Sequence, residues 1–300
     1  MAKKSGRKAG PRPGSAKEPR RARPVTPDPV SRPFEGLAAE CDLVALREFV
    51  PSATATLTLA GDGRPVLLGS VLPMAAAALV RDDGGEGLGM VGLQVQQVPG
   101  ADLSRDVGAA VQFARTANPG ESLESVGGTD EAPRLQDLLV LDAPLEVTVH
   151  DDFGWWVPGD EPPTGEVALS LERANAAIMP TALVQADGVR SAWWVDAGEK
   201  AHLRWVRPED EDALMVALAR VHASGALTLG EGSRFAGSFR AHGLLVPVFD
   251  LDREMHAQEW AAATAVLGAA LDEALAVDGP LTPAQRRSRN GLRARQVTIR

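Results

Sequence analysis

The chain has 300 residues, 44% of them apolar and 24% charged, with a formal net charge of −9 and a single cysteine. Length and apolar fraction suit about two globular domains, and one cysteine excludes an intramolecular disulfide and a cysteine-based zinc site, which makes a cytosolic setting the default. Residues 1–33 carry ten Lys and Arg against Glu18 and Asp28, residues 285–300 carry six Arg and no acid, and residues 34–284 carry a net −23. A body of that charge repels nucleic acid and anionic lipid, so contact with a polyanion is expected through the basic ends and weakens with salt, unless those ends fold back on the body.

Residues 1–33 are basic, proline- and glycine-rich and poor in bulky apolar side chains, which predicts a disordered tail. No apolar run follows the basic start, so a signal peptide is not expected. The longest apolar stretch, around Ala261–Leu271, is about half of what a bilayer requires, so no membrane insertion is expected. A helix is predicted over Asp42–Phe49, with Asp42 as cap and Pro51 as stop. A hairpin follows, Thr54–Ala60 and Val66–Pro73, around Gly61-Asp62-Gly63. Met74–Val80 and Leu88–Val95 are read as strands. Asp102 or Ser104 opens a helix with Leu103, Val107, Val111 and Ala114 on one face. A polar loop, Glu121–Arg134, leads to a short helix, Leu135–Leu139, a strand, Leu145–His150, and a further strand, Phe153–Val157.

Pro158–Thr164 reads as a linker. Thr164 then caps a helix with Val167, Leu171, Ala174 and Ile178 on one face, ended by Pro180. Strands are predicted at Ala182–Gln185, Ser191–Asp196 and His202–Val206. Pro208 and the acids Glu209 to Asp212 start a helix with Leu214, Leu218 and Val221 buried. After a glycine-rich loop come a strand, Gly243–Phe249, and a long helix, Arg253–Val277. Thr282-Pro283-Ala284-Gln285 has the form of a capping box for one or two last turns.

Two stretches read as copies. Each has Pro-Ser/Thr-Ala (Pro51-Ser52-Ala53, Pro180-Thr181-Ala182), an apolar run, an Asp-Gly turn (Asp62-Gly63, Asp187-Gly188), a second apolar run and a closing Val-Arg (Val80-Arg81, Val206-Arg207). The expected fold is α+β: a tandem duplication of a helix, three strands, helix, strand unit with mainly antiparallel sheets and disordered basic tails. The divisions are a tail over 1–33, a first half over 34–157, a linker over 158–164, a second half over 165–279 and a basic tail over 280–300.

Few residues point to chemistry. Ser233, Arg234, Arg240 and His242, in and after the run Gly230-Glu231-Gly232, can cradle an anion or serve a hydrolase. They match no phosphate-loop or nucleophile motif. His150-Asp151-Asp152 reads as a polar strand end rather than a metal site, since neighbouring strand residues face opposite ways. The pairs Trp155-Trp156 and Trp193-Trp194 should each place one ring on either face of a strand, the second ring covering an interface between halves or forming a docking surface. No metal and no cofactor is implied.

The segments CDLVALREFVPSATATL (Cys41–Leu57) and LGEGSRFAGSFRAHGLLVPVFDLD (Leu229–Asp252), with the Lys/Arg-rich lead-in, resemble a family of uncharacterised proteins from high-GC Gram-positive bacteria often labelled SecA-like preprotein translocase. Pro11-Arg12-Pro13-Gly14-Ser15-Ala16-Lys17 is similar to the zinc-binding tail of SecA, Pro-Cys-Pro-Cys-Gly-Ser-Gly-Lys. The cysteines are absent here and so is a P-loop, so the resemblance implies neither zinc nor a translocase motor. The order of strand hairpins, flanking helices and a last strand feeding a long helix also resembles secretion chaperones. These readings favour a cytosolic, non-catalytic binding or adaptor protein whose basic tails meet RNA, the ribosome or another protein. The alternatives are a hydrolase at Ser233, Arg234, Arg240 and His242, or a secretion-chaperone-like protein.

Overall fold

The computed structural model describes residues 28–127, 131–159 and 162–298. Most of the basic N-terminal tail, including Pro11–Lys17, therefore lies outside the described residues. The fold is α+β, with mainly antiparallel sheets. The first sheet comprises β1 (Ala53–Thr56), β2 (Val66–Gly69), β3 (Ala78–Arg81), β4 (Leu88–Gly92), β5 (Ser122–Leu123) and β6 (Thr148–Val149), in the order β5-β3-β4-β2-β1-β6. The second comprises β7 (Thr181–Leu183), β8 (Ala192–Asp196), β9 (Ala201–Trp205), β10 (Arg234–Ala241), β11 (Leu244–Leu251) and β12 (Gln296–Thr298), in the order β12-β10-β11-β9-β8-β7. Among the described residues six α-helices accompany them: α1 (Glu40–Glu48), α2 (Leu103–Thr116), α3 (Gly165–Asn175), α4 (Glu211–Ala223), α5 (Ala261–Leu275) and α6 (Pro283–Arg293).

Helix α1 organises the packing. Leu43, Val44, Ala45 and Leu46 are all fully buried. Consecutive helical residues point roughly 100° apart, so four in a row sweep most of the circumference and need cover nearly all round. They obtain it from both sheets: one apolar cluster joins these residues to Val66, Leu68 and Val91 of the first sheet and to Trp193, Val195, Val206, Leu244 and Val246 of the second half. Helix α2 closes the same face of the first sheet. A Cβ at Gly89 would collide with the Ala114 carbonyl, so glycine there lets helix and strand touch. The second sheet is covered on both faces, its other side packing Trp194, Leu203, Trp205 and Phe249 against Leu214 and Leu218 of α4 and Leu267 and Leu271 of α5. That double cover explains the unbroken apolar run of β8.

The two hairpins after Pro51 and Pro180 do form, but the sheets around them are wired differently. In the second sheet β7, β8 and β9 follow one another as antiparallel neighbours. In the first, β4 pairs in parallel with β2 and separates it from β3. The connections account for this. A turn over residues 197–200, with Gly198 at φ 92°, returns the chain directly from β8 to β9. Residues 70–77 instead pass through Pro73 and the left-handed pair Met74 (φ 58°) and Ala75 (φ 51°), carrying the chain past the place that β4 fills. The shared order of sequence features thus does not extend to a shared topology.

Other expectations are corrected locally. Asp42 lies inside α1, not at its cap, which is Ala39 without a side-chain hydrogen bond. Phe153–Val157 is not a strand: Gly154–Trp156 is a 3₁₀ turn, pinned by Asp152 Oδ1 accepting from Gly154 N at 2.7 Å. Helix α3 buries none of its residues, and Val167 and Leu169 remain 57% and 54% exposed. The last long helix begins at Ala261, after a 3₁₀ turn from Ala257.

The glycine-rich loop contains the longest hairpin. β10 and β11 are joined by the two-residue turn His242-Gly243, both at positive φ (47° and 80°), the conformation that matches the twist of paired strands. Within the basic C-terminal stretch, residues 282–298 are more than a tail with one or two turns. The capping box at Thr282 starts an 11-residue helix, and β12 then adds a parallel edge strand to β10. Trp193 is fully buried in the core shared by both sheets, so Trp193→Ala should cost about 3–5 kcal/mol in urea denaturation. A loss below about 1 kcal/mol would place the ring outside that core.

Candidate functional site

The four residues of the glycine-rich run are dispersed. Ser233 Oγ donates to the Gly230 carbonyl at 2.7 Å and accepts from Leu229 N at 2.9 Å, holding its own turn. Arg234 pairs with Asp250 at 2.8 Å. Arg240 forms a two-pronged pair with Glu211 at the start of α4. His242 meets Glu48 of α1 through Nε2 at 2.7 Å. Arg234 and Arg240 are six residues apart and would share a face in a regular strand. A register shift between Phe235 and Gly237 reverses the alternation: Arg234 opposes Asp250 on one face, whereas Arg240 opposes Leu245 on the other. These side chains do not converge on one point.

Trp193 and Trp194 occupy opposite faces of β8, each buried in a different core. Trp155 and Trp156 cover the far side of the first sheet. Trp155 packs on Gly69 and stacks with His150 at 5.8 Å, and Trp156 stacks on Phe153 at 4.3 Å. Their indole N–H groups donate to Ser52 Oγ and the Val71 carbonyl. His150 Nε2 lies 2.8 Å from Thr54 Oγ1, and burial lowers its pKa. Among the described residues, no group of three His, Cys, Asp or Glu is placed to hold a metal ion.

Three other places carry uncompensated polar chemistry. The first is α6. Arg286, Arg287 and Arg295 are exposed. Arg286 is engaged by the Leu281 carbonyl and Arg293 by Asp212. Among the described residues, no carboxylate lies within ion-pair distance of Arg287 or Arg295. The helix is anchored by Leu292 and by His222 Nδ1, 3.0 Å from Ser288 Oγ.

The second lies on the inner face of the second sheet, beyond the part covered by α1. A pocket of about 260 Å³ opens there, lined by Glu48, Phe49, His202, Arg204, Phe239 and Val248. Register explains the lining: Arg204 opposes Val248, and His202 opposes Asp250. Lys200 Nζ and Arg234 share Asp250 Oδ2 at 2.9 and 2.8 Å. His202 Nδ1 stands 3.3 Å from Asp250 Oδ1 without hydrogen-bond geometry, and burial lowers its pKa.

The third is a cleft of about 490 Å³ where β6 and β7 approach, with Asp42, Arg190 and Ser191 in its wall. Burial raises the Asp42 carboxyl to about 6, against the opposing pull of a hydrogen bond to Ser191 and the charge of Arg190. Sequence reasoning missed the last two places because each is assembled from α1 and strands about 150 residues further on, and neither has a contiguous motif.

Residues 33–300 match the model of a family of unknown function, DUF5926. Neither a curated protein nor a solved structure matches the chain.

The Asp42 shift has a definite sign. An acid whose folded pKa is raised stabilises the fold fully below its ordinary value of 3.8, and that contribution is lost as pH rises through about 6. Asp42→Asn should therefore raise stability, and with it the melting temperature, by up to about 3 kcal/mol at pH 7.5, and leave both nearly unchanged at pH 4. An equal effect at both values would show that the carboxyl titrates normally.

Proposed function

The chain belongs to the DUF5926 family of unknown function, and we propose that it is a non-catalytic, cytosolic binding or adaptor protein that engages the phosphate backbone of RNA, free or within the ribosome, through the arginines of α6. The observation behind this reading is the exposure of Arg287 on α6 and of Arg295 just past its end, without acidic partners among the described residues, beside a body of net −23. Guanidinium groups match phosphate oxygens with paired, in-plane N–H donors and stay charged at any physiological pH. Folding onto α4 fixes where these charges point, and the acidic remainder of the surface repels the same polyanion, so one face is selected. The Lys/Arg-rich residues 1–33, including the SecA-like lead-in, add charge of the same sign.

A hydrolase at Ser233, Arg234, Arg240 and His242 gains no support, because each of those side chains is engaged in a separate structural contact.

Fluorescence anisotropy with a single-stranded RNA across roughly 50–200 mM salt tests the reading. Log affinity should fall linearly with log salt by about 0.7 per phosphate neutralised. Converting Arg286, Arg287 and Arg295 to Gln should make that slope shallower by about 2. Unchanged affinity and slope in the triple variant would remove α6 as the contact.

A further inference from the structure

The pocket on the inner face of the second sheet contains a charge imbalance that α6 does not explain. Every other ionisable group around it has a counterpart. Asp250 serves Lys200 and Arg234 and faces His202. Glu48 takes the His242 N–H at 2.7 Å, lies 3.9 Å from Arg47 Nε, and has its pKa lowered chiefly by the His242 hydrogen bond. Arg204 is different. Its guanidinium lies over the Phe49 ring, 5.4 Å from the centroid. Among the described residues, no carboxylate reaches it. Burial lowers its pKa, with no neighbouring acid to oppose the effect. A partly desolvated guanidinium without a counter-ion is costly to maintain, and here it lines a cavity whose apolar walls are Phe49, Phe239 and Val248 and whose other lining residues are Glu48 and His202. Phe49 and Phe239 meet edge to face at 6.3 Å, forming a rigid aromatic corner beside the cation.

We infer that this pocket binds a small monocarboxylate with an apolar body, its two oxygens taken by the forked donors of Arg204 and its hydrocarbon part by Phe49, Phe239 and Val248. The volume of about 260 Å³ lies just below the usual range for drug-sized ligands, which restricts the occupant to a short-chain or single-ring acid. Glu48 on the rim disfavours ligands with a second negative charge. Its engagement by His242 leaves Arg204 available for one.

The test is the melting temperature of the full-length protein titrated with acetate, butyrate and benzoate, and with benzamide as the neutral isostere of benzoate. Benzoate and butyrate should raise it saturably, as expected for ligands that bind the folded state, and benzamide should not. Arg204→Met should raise the ligand-free melting temperature and abolish the carboxylate response. Arg204→Lys, which keeps the charge but loses the fork, should weaken benzoate about tenfold. Should Arg204→Met fail to fold, Val248→Glu gives an independent reading: residue 248 opposes Arg204 in register, so the new carboxylate should fill the role of the ligand, raise the melting temperature and eliminate benzoate binding. The proposal is overturned if no acid shifts the melting temperature, if benzamide matches benzoate, or if the benzoate response survives Arg204→Met or Val248→Glu.

Discussion

The structure depends on burying a short helix all the way round. Four consecutive residues of α1 have no solvent-facing side, and neither sheet can cover them alone. The two sheets therefore close on α1, and the inner face of the second sheet becomes interior rather than surface. An ion pair accompanies this closure. Arg32 holds Glu40 with two bonds of 2.6 Å and reaches the Pro208 carbonyl at 2.8 Å, tying the lead-in, the start of α1 and the second half together. Glu40 is only 5% exposed, so the pair is better understood as fixing register between parts than as a large gain in stability.

That geometry also divides the inner face of the second sheet. Trp193, Val195, Val206, Leu244 and Val246 lie under α1 and the first sheet. The continuation of the same strands, with His202, Arg204 and Val248, extends past the end of α1 and forms an open pocket. Its polar residues alternate with those that build the core on the opposite face, so the pocket arises from the same pleat that buries Leu203 and Trp205. The acidic body and basic α6 divide the outside in a comparable way, with Arg293 and Gln296 spent on Asp212 and Glu211 while Arg287 and Arg295 remain available.

How much of this the sequence disclosed follows from the range of each interaction. Local signals were readable: Asp102 caps α2, the Thr282 capping box starts α6, and the Asp-Gly turns close hairpins. The alternation in Trp193-Trp194 implied one ring on each face of a strand, and both faces of β8 are buried. Misreadings arose where composition hid geometry. Three glycines and polar neighbours around Ser233 suggested an anion cradle, whereas the chain forms a hairpin there, closed by His242-Gly243 and bulged between Phe235 and Gly237. The neighbour of β2 was not legible at all, because it depends on how residues 70–77 cross the sheet. Nor was the Arg204 pocket, whose lining comes from α1 and three strands of the second half.

Native-state hydrogen exchange tests the shared core most directly. If α1 can be buried only while both sheets are closed on it, the amides of Leu43–Leu46 and of Trp193–Val195 should exchange through one global opening, with equal opening free energies and equal denaturant dependence. Protection of β8 that persists under conditions where α1 has already exchanged would contradict the account, showing that the second sheet is stable without the helix it encloses.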